Sequence, residues 1–538
     1  MKTDMLFDYD ARKKLLAGVE KLTDAVRITL GPMGKTVAIC LAGQVPHLTK
    51  DGVTVANAIS LQDPYENAGV EFVREAAQRS AAVAGDGTTT ATVLAHEIIN
   101  QGDRIIAAGH ATTDVLRGMR AASDAILGEL EKTRVQISSD RLIDVATISA
   151  NGDRNLGKLI SDAINRVGPD GAVSVQEAKG YDTSLSIVDG TYIDQGYVSP
   201  YFVTDAARQI AELEDPDILI INDEVSSLAP IISSLERIAA TGGSLLIICN
   251  AVGGEALQAL VLNRIKAKLK VCVIKSPEFA SARATALGDL AALVGGQVVT
   301  DAKRNLSGAE LDTVLGSTKK VTVTNRTTLL FGTQQTDDVK ERQEHTRQVL
   351  TDPAATIDDK KIADRRSRRL SAGIAVLQIG GATESEMKER RDRVDDALHA
   401  SRVALREGVQ PGGGVALTRA KKKAEKHFRQ KSSTDAFVAG AKAFLSSMES
   451  PLRQIAENCN VSPDLVVQKV KRIPDSCGYD GKNNKYGDMF ELGILDPHTV
   501  IVSAVEHSLS VACNLLSIGC IIAKDEDVLS NASFFDDV

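Results

Sequence analysis

Aromatic residues are scarce in this chain of 538 residues: they make up 4% of it, and tryptophan is absent. Because aromatic side chains are enriched in β-strands, this shortage favours helical packing of alanine, valine and leucine over an all-β sandwich. Cysteine is also rare, with seven residues spread from Cys40 to Cys520 and no CxxC pair. We therefore expect free thiols in a reducing cytoplasm, and neither a disulfide framework nor a zinc site.

The chain has no long basic run, and its formal net charge of -8 is distributed along its length. Binding to a nucleic-acid backbone needs clustered lysine and arginine, so no nucleic-acid partner is expected. The first residues have no apolar signal-peptide core, and no uninterrupted apolar stretch approaches the ~18 residues of a membrane span. We expect no membrane partner either.

Hydrophobic periodicity divides the chain into three stretches. Residues 9–133 carry apolar side chains at helical spacing, and long helical patterns return from Glu384 onward. Between them, short β-rich runs alternate with helical patterns at residues 185–188, 218–221, 245–248, 271–274 and 321–323, and a charged helical hairpin is predicted at 338–370. This order fits three domains in a row, or one helical domain made from both chain ends with an α/β domain inserted.

A first glycine-rich segment, TLGPMGKT at residues 29–36, is similar to a Walker A phosphate loop. The GxxxxGK[ST] spacing fails, however, because Gly31 is only three residues before Gly34. Backbone amides in such a turn can still face an anion. Taken alone, the segment is better explained as an ordinary link between a helix and a strand.

The segment GDGTTT at residues 85–90 opens a predicted helix. Amides and hydroxyls at a helix N-terminus bind phosphate well, aided by the helix dipole. Asp86 beside them suits Mg²⁺, which takes one or two carboxylates together with phosphate oxygens. The alternative is that Asp86 and Thr88 only cap the helix.

Two later segments are ambiguous when read singly. Three consecutive glycines at residues 412–414 permit close approach of a ligand, but they also suit a flexible turn. The adjacent acids Asp395 and Asp396 point in different directions on a helix, so at most one of them can serve a site.

Together these segments resemble the group I chaperonins, the GroEL type. The matching strings are TLGPMGKTV (29–37), TKDGVTVA (49–56), AGDGTTTATVLA (84–95), TISANGD (147–153), QGYVSPYF (195–202), GEALQALVLN (254–263), ATESEMKERRDRVDDALHASR (382–402), PGGGVAL (411–417), SPLRQIAENC (450–459) and ELGILDP (491–497). They follow the family's order at nearly its spacing over residues 5–525. The strings at 195–202 and 254–263 favour group I over group II, which shares only the phosphate elements.

The resemblance implies a multidomain α and α/β chaperonin fold. A helical equatorial ATP-binding domain would comprise residues 1–133 and 408–538. A small intermediate domain would comprise residues 134–188 and 375–407, and an α/β apical domain would be inserted at residues 189–374. Hinges are implied at Gly190, Gly373 and Gly408.

The resemblance also implies the ATP site. The residues expected to bind ATP are Leu30, Gly31, Pro32, Lys50, Gly87, Thr88, Thr89, Thr90, Gly413, Asp480, Gly481, Ile494 and Asp496. Asp86 would bind Mg²⁺, and K⁺ is a further expected cofactor. Asp396 would orient and deprotonate the attacking water, assisted by Asp51.

The expected partners are non-native proteins, bound on an apolar apical surface. The residues assigned to it are Tyr197, Tyr201, Phe202, Ile232, Leu235, Leu257, Val261 and Leu262. An apolar stripe at helical spacing is often core instead. Here, however, residues 257, 260, 261, 262 and 265 are apolar over an arc wider than one packing face needs, and an exposed apolar patch marks a partner site.

The implied function is ATP-dependent refolding in a ring of identical subunits, expected to be seven, with a GroES-type cochaperonin. The alternative is a chaperonin-like holdase or scaffold that captures clients without folding them. A metabolic kinase fits less well, because the apical segment offers no convergent polar groups for a small acceptor. Ser462 stands where typical members have the acidic ring–ring partner of Arg453, so weaker pairing of rings is expected.

Overall fold

The computed structural model describes most of the chain. The described residues are 3–40, 46–168, 171–178, 180–206, 208–267, 269–278, 280–301, 309–352, 356–371, 373–428 and 434–524.

The helices, in chain order, are α1 (Asp8–Arg27), α2 (Gly52–Ala58), α3 (Pro64–Ala84), α4 (Thr88–Ala107), α5 (Thr112–Thr133), α6 (Leu142–Ser149), α7 (Arg154–Val167), α8 (Ile232–Thr241), α9 (Gly254–Ala267), α10 (Ala280–Val294), α11 (Ala309–Val314), α12 (Asp337–Thr351), α13 (Ile357–Ser371), α14 (Glu384–Glu407), α15 (Val415–Phe428), α16 (Asp435–Ser447), α17 (Ser450–Asn458), α18 (Pro463–Arg472) and α19 (His498–Leu516).

The strands, in chain order, are β1 (Thr3–Phe7), β2 (Val37–Ile39), β3 (His47–Thr49), β4 (Val173–Glu177), β5 (Ser184–Ile193), β6 (Ala211–Glu214), β7 (Asp217–Val225), β8 (Ser244–Val252), β9 (Lys270–Lys275), β10 (Val298–Val299), β11 (Gly316–Ser317), β12 (Lys320–Val323), β13 (Thr328–Phe331), β14 (Gly373–Ile379), β15 (Val409–Pro411), β16 (Cys477–Asp480), β17 (Lys485–Asp488), β18 (Leu495–Pro497) and β19 (Cys520–Lys524).

Two units, each built from separated segments, make up the chain. Unit 1 comprises Met1–Asp162, Glu177–Thr183 and Ile379–Val538, and unit 2 comprises Ala163–Gln176 and Ser184–Gln378. The two chain ends therefore share one unit, as the inserted-domain alternative requires. The three-domain boundaries stay a prediction: residues 189–374 fall within unit 2, but the segments assigned to an intermediate domain are divided between the units.

The core of unit 1 is a set of long packed helices. On α1, fully buried side chains recur at helical spacing, as at Leu15, Val19 and Leu22. The helix α19 is apolar and long enough to cross a membrane by length and composition alone, but 67% of its most apolar window is buried inside the protein. We therefore interpret α19 as a core helix. Antiparallel pairing of β1 with β19 joins the two chain ends.

Unit 2 contains the α/β part. Strands β10, β7, β8 and β9 form a parallel sheet in that order, and β11 pairs with β7. The apolar runs in β7 and β8 are buried almost throughout, as expected for a parallel sheet covered on both faces. A second, six-stranded sheet has the order β4-β14-β5-β13-β12-β6. All five predicted β-rich runs lie within observed strands.

A buried ion-pair cluster ties the predicted helical hairpin, α12 and α13, to α10. Asp289 on α10 is fully buried and accepts hydrogen bonds from Arg366 Nε at 2.8 Å and Arg366 Nη2 at 3.0 Å. Arg342 Nη1 on α12 donates to the same carboxylate at 3.3 Å. Removing one member of such a cluster leaves an uncompensated buried charge, which is costly.

We predict that Asp289→Asn lowers the free energy of unfolding of unit 2 by about 3–5 kcal/mol. The measurement is chemical denaturation, with amide hydrogen exchange showing faster opening of α12 and α13. Asp338→Asn is the matched control, because Asp338 is an exposed partner of the same Arg342 at 3.1 Å. The control change should cost no more than about 1 kcal/mol. Equal losses in both variants would contradict a special role for the buried carboxylate.

Candidate functional site

A cavity of about 460 Å³ lies within unit 1. Its walls come from the segments before α2 and α4, the α6–α7 loop, α14, the β15–α15 turn, the β16–β17 hairpin and β18. Every residue predicted to contact ATP, Mg²⁺ or the attacking water lines it, namely Leu30, Gly31, Pro32, Lys50, Asp51, Asp86, Gly87, Thr88, Thr89, Thr90, Asp396, Gly413, Asp480, Gly481, Ile494 and Asp496. The fold thus joins segments that are far apart in sequence.

One end of the cavity is formed by the start of α4. Gly87, with φ of 83°, precedes Thr88 in a left-handed conformation that favours glycine. A Cβ atom at Gly52 would overlap Thr89 Oγ1 and lie 2.8 Å from Thr88 Oγ1, so the first residue of α2 directly contacts these hydroxyls. Free amides and hydroxyls at the N-terminus of a 20-residue helix suit an anion such as phosphate.

Asp86 lies beside this helix start, half-buried in the cavity wall. Burial raises the pKa of its carboxyl, while hydrogen bonds from Gly87 and Ser149 act in the opposite direction. Among the residues that the structure describes, no group of three or more His, Cys, Asp and Glu side chains is placed to hold a metal by itself. Mg²⁺ at phosphate sites needs only one or two carboxylates, so Asp86 fits that role.

The catalytic candidate Asp396 projects from α14 into the same cavity. Burial, followed by the charges of Asp86 and Asp51, holds the pKa of Asp396 well above its usual value. Asp51 is the N-cap of α2, and its carboxylate accepts from Val53 N at 3.1 Å, Thr54 N at 2.9 Å and Thr54 Oγ1 at 2.6 Å. Both Asp51 oxygens are therefore used in capping.

Another part of the cavity wall is built by β15, β18 and the β16–β17 hairpin. Asp496 Oδ2 accepts a hydrogen bond from Gly413 N at 3.1 Å. Burial and the charge of Asp86 raise the pKa of Asp496 to about 7, despite that hydrogen bond. The Asp480 carboxylate is hydrogen-bonded within its own turn, because it accepts hydrogen bonds from Lys482 N at 2.9 Å and from Asn483 Nδ2 at 2.6 Å.

Several residues that line the cavity were not predicted from the sequence. They include Asn151, Gly152 and Arg154 around the α6–α7 loop and Glu389, Asp392 and Arg393 on α14. The string TISANGD at 147–153 carried a signal for the loop, but its residues had no assigned chemistry. The sequence pattern of α14 did not distinguish the acidic residues that face the cavity, such as Glu389 and Asp392, from those that face solvent.

The residues predicted to bind clients occupy different environments in unit 2. Tyr201, Ile232 and Leu262 are exposed, at 65%, 44% and 51%. Tyr197, Leu257 and Val261 are half-buried beside the core. Phe202 and Leu235 belong to the core itself, and this corrects their assignment to an exposed surface. The apolar pattern did not reveal which face of each element packs inward.

The predicted hinge glycines lie where a side chain would collide. Gly190 in β5 and Gly373 in β14 belong to neighbouring paired strands, and a Cβ at Gly190 would lie 2.6 Å from Leu330 O. Gly408 follows α14, where a Cβ would lie 2.8 Å from Val135 O. Close packing therefore explains these glycines, and their motion stays a prediction.

The raised pKa of Asp496 predicts a pH-dependent stability. Because the folded protein binds this proton more tightly than the unfolded chain, ionisation destabilises the fold as pH rises toward about 7. Asp496→Asn should therefore stabilise the nucleotide-free protein, by about 2 kcal/mol more at pH 8 than at pH 5.5. Calorimetry with a chelator present, at both pH values, is the measurement.

Asp488→Asn serves as the control of opposite sign. A hydrogen bond from Ser476 lowers the pKa of Asp488, so its carboxylate stabilises the fold above its unfolded pKa. This variant should lose stability near neutral pH and recover as the solution becomes acidic. If the stability difference between Asp496→Asn and the wild type did not change with pH, this would contradict the raised pKa of Asp496.

Comparison with known proteins identifies the family. The family model of the TCP-1/cpn60 chaperonin family matches residues 22–232 and 230–526. The chaperonin gp146 from the bacteriophage EL 2 (Pseudomonas aeruginosa) has a similar structure in two crystal forms, with TM-scores of 0.71 and 0.65. Each match has 22% identity and covers 97% of this chain and 99% of that chain, which shows the same fold. The chain therefore belongs to the TCP-1/cpn60 chaperonin family.

Proposed function

We propose that this chain is an ATP-hydrolysing chaperonin of the group I type, which binds non-native proteins and releases them for folding through an ATP cycle. The observation that carries the proposal is the cavity in unit 1, where every predicted nucleotide residue converges. The chaperonin gp146 was crystallised in the presence of ATP-BeFx, which supports nucleotide binding by this fold.

The proposed orientation of ATP follows from the chemistry of the groups that line the cavity. The phosphates would lie against the amides and hydroxyls at the start of α4, with Lys50 nearby. Asp496 would accept hydrogen bonds from the ribose hydroxyls, and Ile494 would contact the base. The Asp480 carboxylate is already hydrogen-bonded within its turn, so its contact with the base depends on an oxygen lone pair that remains available.

Hydrolysis would depend on Asp396. The water oxygen forms the bond to the γ-phosphorus, its proton passes to the Asp396 carboxylate, and the bond to the bridging oxygen breaks. A carboxyl with a raised pKa is a suitable proton acceptor near neutral pH. Mg²⁺ held by Asp86 would neutralise charge on the phosphate oxygens. K⁺ is part of the proposal, but no residue is assigned to it.

The exposed apolar side chains of unit 2 support a surface for non-native proteins, since such proteins expose apolar groups of their own. The family assembles as oligomeric rings, and we propose a homo-oligomeric ring, of seven subunits, with a GroES-type cochaperonin. Arg453 forms an ion pair with Asp464 of the same chain at 2.7 Å, which supports the expected weaker pairing of rings. All seven cysteines are free, which supports a reducing cytoplasm.

The holdase alternative keeps one observation in its favour. The exposed apolar side chains lie in unit 2 and the cavity lies in unit 1, so client capture does not itself require ATP hydrolysis. Release of active client only in the presence of Mg-ATP would separate folding from simple capture.

We predict that Asp396→Ala binds Mg-ATP but loses hydrolysis by at least about 100-fold, because general-base catalysis contributes about 10²–10⁴-fold. ATP turnover and refolding of an aggregation-prone enzyme are the measurements, the latter with and without cochaperonin. Glu407→Ala is the control, since the Glu407 side chain is 52% exposed at the C-terminal end of the same helix and does not line the cavity. Unchanged hydrolysis in Asp396→Ala would refute the proposed catalytic role.

We predict that Leu262→Ser combined with Ile265→Ser weakens capture of a non-native client by about tenfold or more, because burial of each side chain contributes about 1.5–3 kcal/mol. Both side chains are exposed, at 51% and 58%, so folding stability should change little. Suppression of client aggregation without ATP is the measurement. Asn263→Ser, at another exposed position of the same helix, is the control, and equal capture by all variants would contradict a client surface here.

A further inference from the structure

The helix α14 carries a second carboxylate beside Asp396. Asp392 lies one turn earlier, and residues four apart share a face of a helix. Its side chain is half-buried and lines the 460 Å³ cavity. Within the described part of the chain, no hydrogen bond or close ion pair engages Asp392. This carboxylate is therefore available to a molecule inside the cavity.

A second cavity, of about 350 Å³, reaches the same two carboxylates. Asp51, Asp392 and Asp396 line both cavities, so they form the boundary between them. His47 and Lys388 line only the second cavity, whereas Asp86 and the start of α4 line only the first. The second cavity thus reaches Asp396 without passing the residues proposed to hold phosphate.

The proposed reaction consumes one water at each turnover. A bound nucleotide in a site of this kind buries most of its own surface, so it obstructs the first cavity. Water must nevertheless reach Asp396. The second cavity provides a separate path, and its polar lining of imidazole, ammonium and carboxylate groups suits hydration.

We propose that the second cavity supplies the attacking water and that Asp392 is a positioning residue, which holds this water for Asp396. The inference rests on the proposed ATP hydrolysis. Asp392 accepts a hydrogen bond from the water and thereby fixes its oxygen, while Asp396 takes the proton as the oxygen bonds to the γ-phosphorus. Only Asp396 changes its protonation in this step.

The test compares steady-state Mg-ATP hydrolysis in variants of Asp392. Asp392→Leu removes the acceptor at similar volume, and kcat should fall by about tenfold or more while KM changes by less than about twofold. Asp392→Asn keeps an acceptor oxygen and should restore most of kcat. Glu407→Leu, an acid-to-leucine change at the exposed end of the same helix, is the matched control.

A second variant, at Lys388, tests the proposed water path through the second cavity. Lys388 is exposed and does not line the first cavity, so Lys388→Phe narrows the second cavity without altering the nucleotide residues. It should lower kcat and leave KM unchanged. This variant tests the inference independently of whether Asp392→Leu folds.

Three results would overturn the inference. They are an unchanged kcat in both Asp392→Leu and Lys388→Phe, a loss in Asp392→Asn as large as in Asp392→Leu, and a rise in KM without a fall in kcat. The second would make the charge of Asp392, rather than water binding, the important property. If the proposed catalytic role of Asp396 were itself wrong, the result would differ from these three: Asp396→Ala would hydrolyse ATP at the wild-type rate.

Discussion

Mutual repulsion of carboxylates in one cavity is the constraint on which the rest of unit 1 depends. Asp51, Asp86, Asp396 and Asp496 line the same 460 Å³ space, and burial raises the pKa of the last three. Without bound cations, this arrangement costs folding free energy, which the packed helices around it must offset. A metal ion bound to the folded protein relieves the repulsion, so ligand binding and stability are linked.

The topology explains how such a cavity is built. Its carboxylates come from the segments before α2 and α4, from the long helix α14, and from β18, which pairs with β15. Helices from both chain ends form the continuous core that holds these segments together. The cavity wall at the start of α4 depends on close packing as well: Gly52 allows the start of α2 to contact Thr88 and Thr89, where a larger side chain would overlap them.

Much of the fold and of the candidate site could be predicted from the sequence, because glycine-rich loops and buried β-strands leave strong local sequence patterns. The elements that were missed depend on distant partners. The three-residue strands β15 and β18 are recognisable only once Gln410 lies opposite Asp496. Phe202 and Leu235 were misplaced because an apolar stripe does not say which neighbour covers it. Asp392 and Asp395 are alike in sequence, and only the rotation of α14 places Asp392 on the 460 Å³ cavity while Asp395 is 54% exposed and lines the second cavity alone.

The helix α14 is also in close contact with the segment before α4. Gly85, with φ of 70°, lies against the imidazole of His399, and a Cβ at this position would overlap the ring. His399 is on α14, three residues after Asp396, so the backbone that leads to Asp86 packs against the helix that carries the proposed catalytic base. Close-packed contacts transmit displacement because they have little free volume. Residues 85–88 and α14 are therefore in direct contact, so under the proposed function a ligand that displaced residues 85–88 would also act on the helix that carries Asp396.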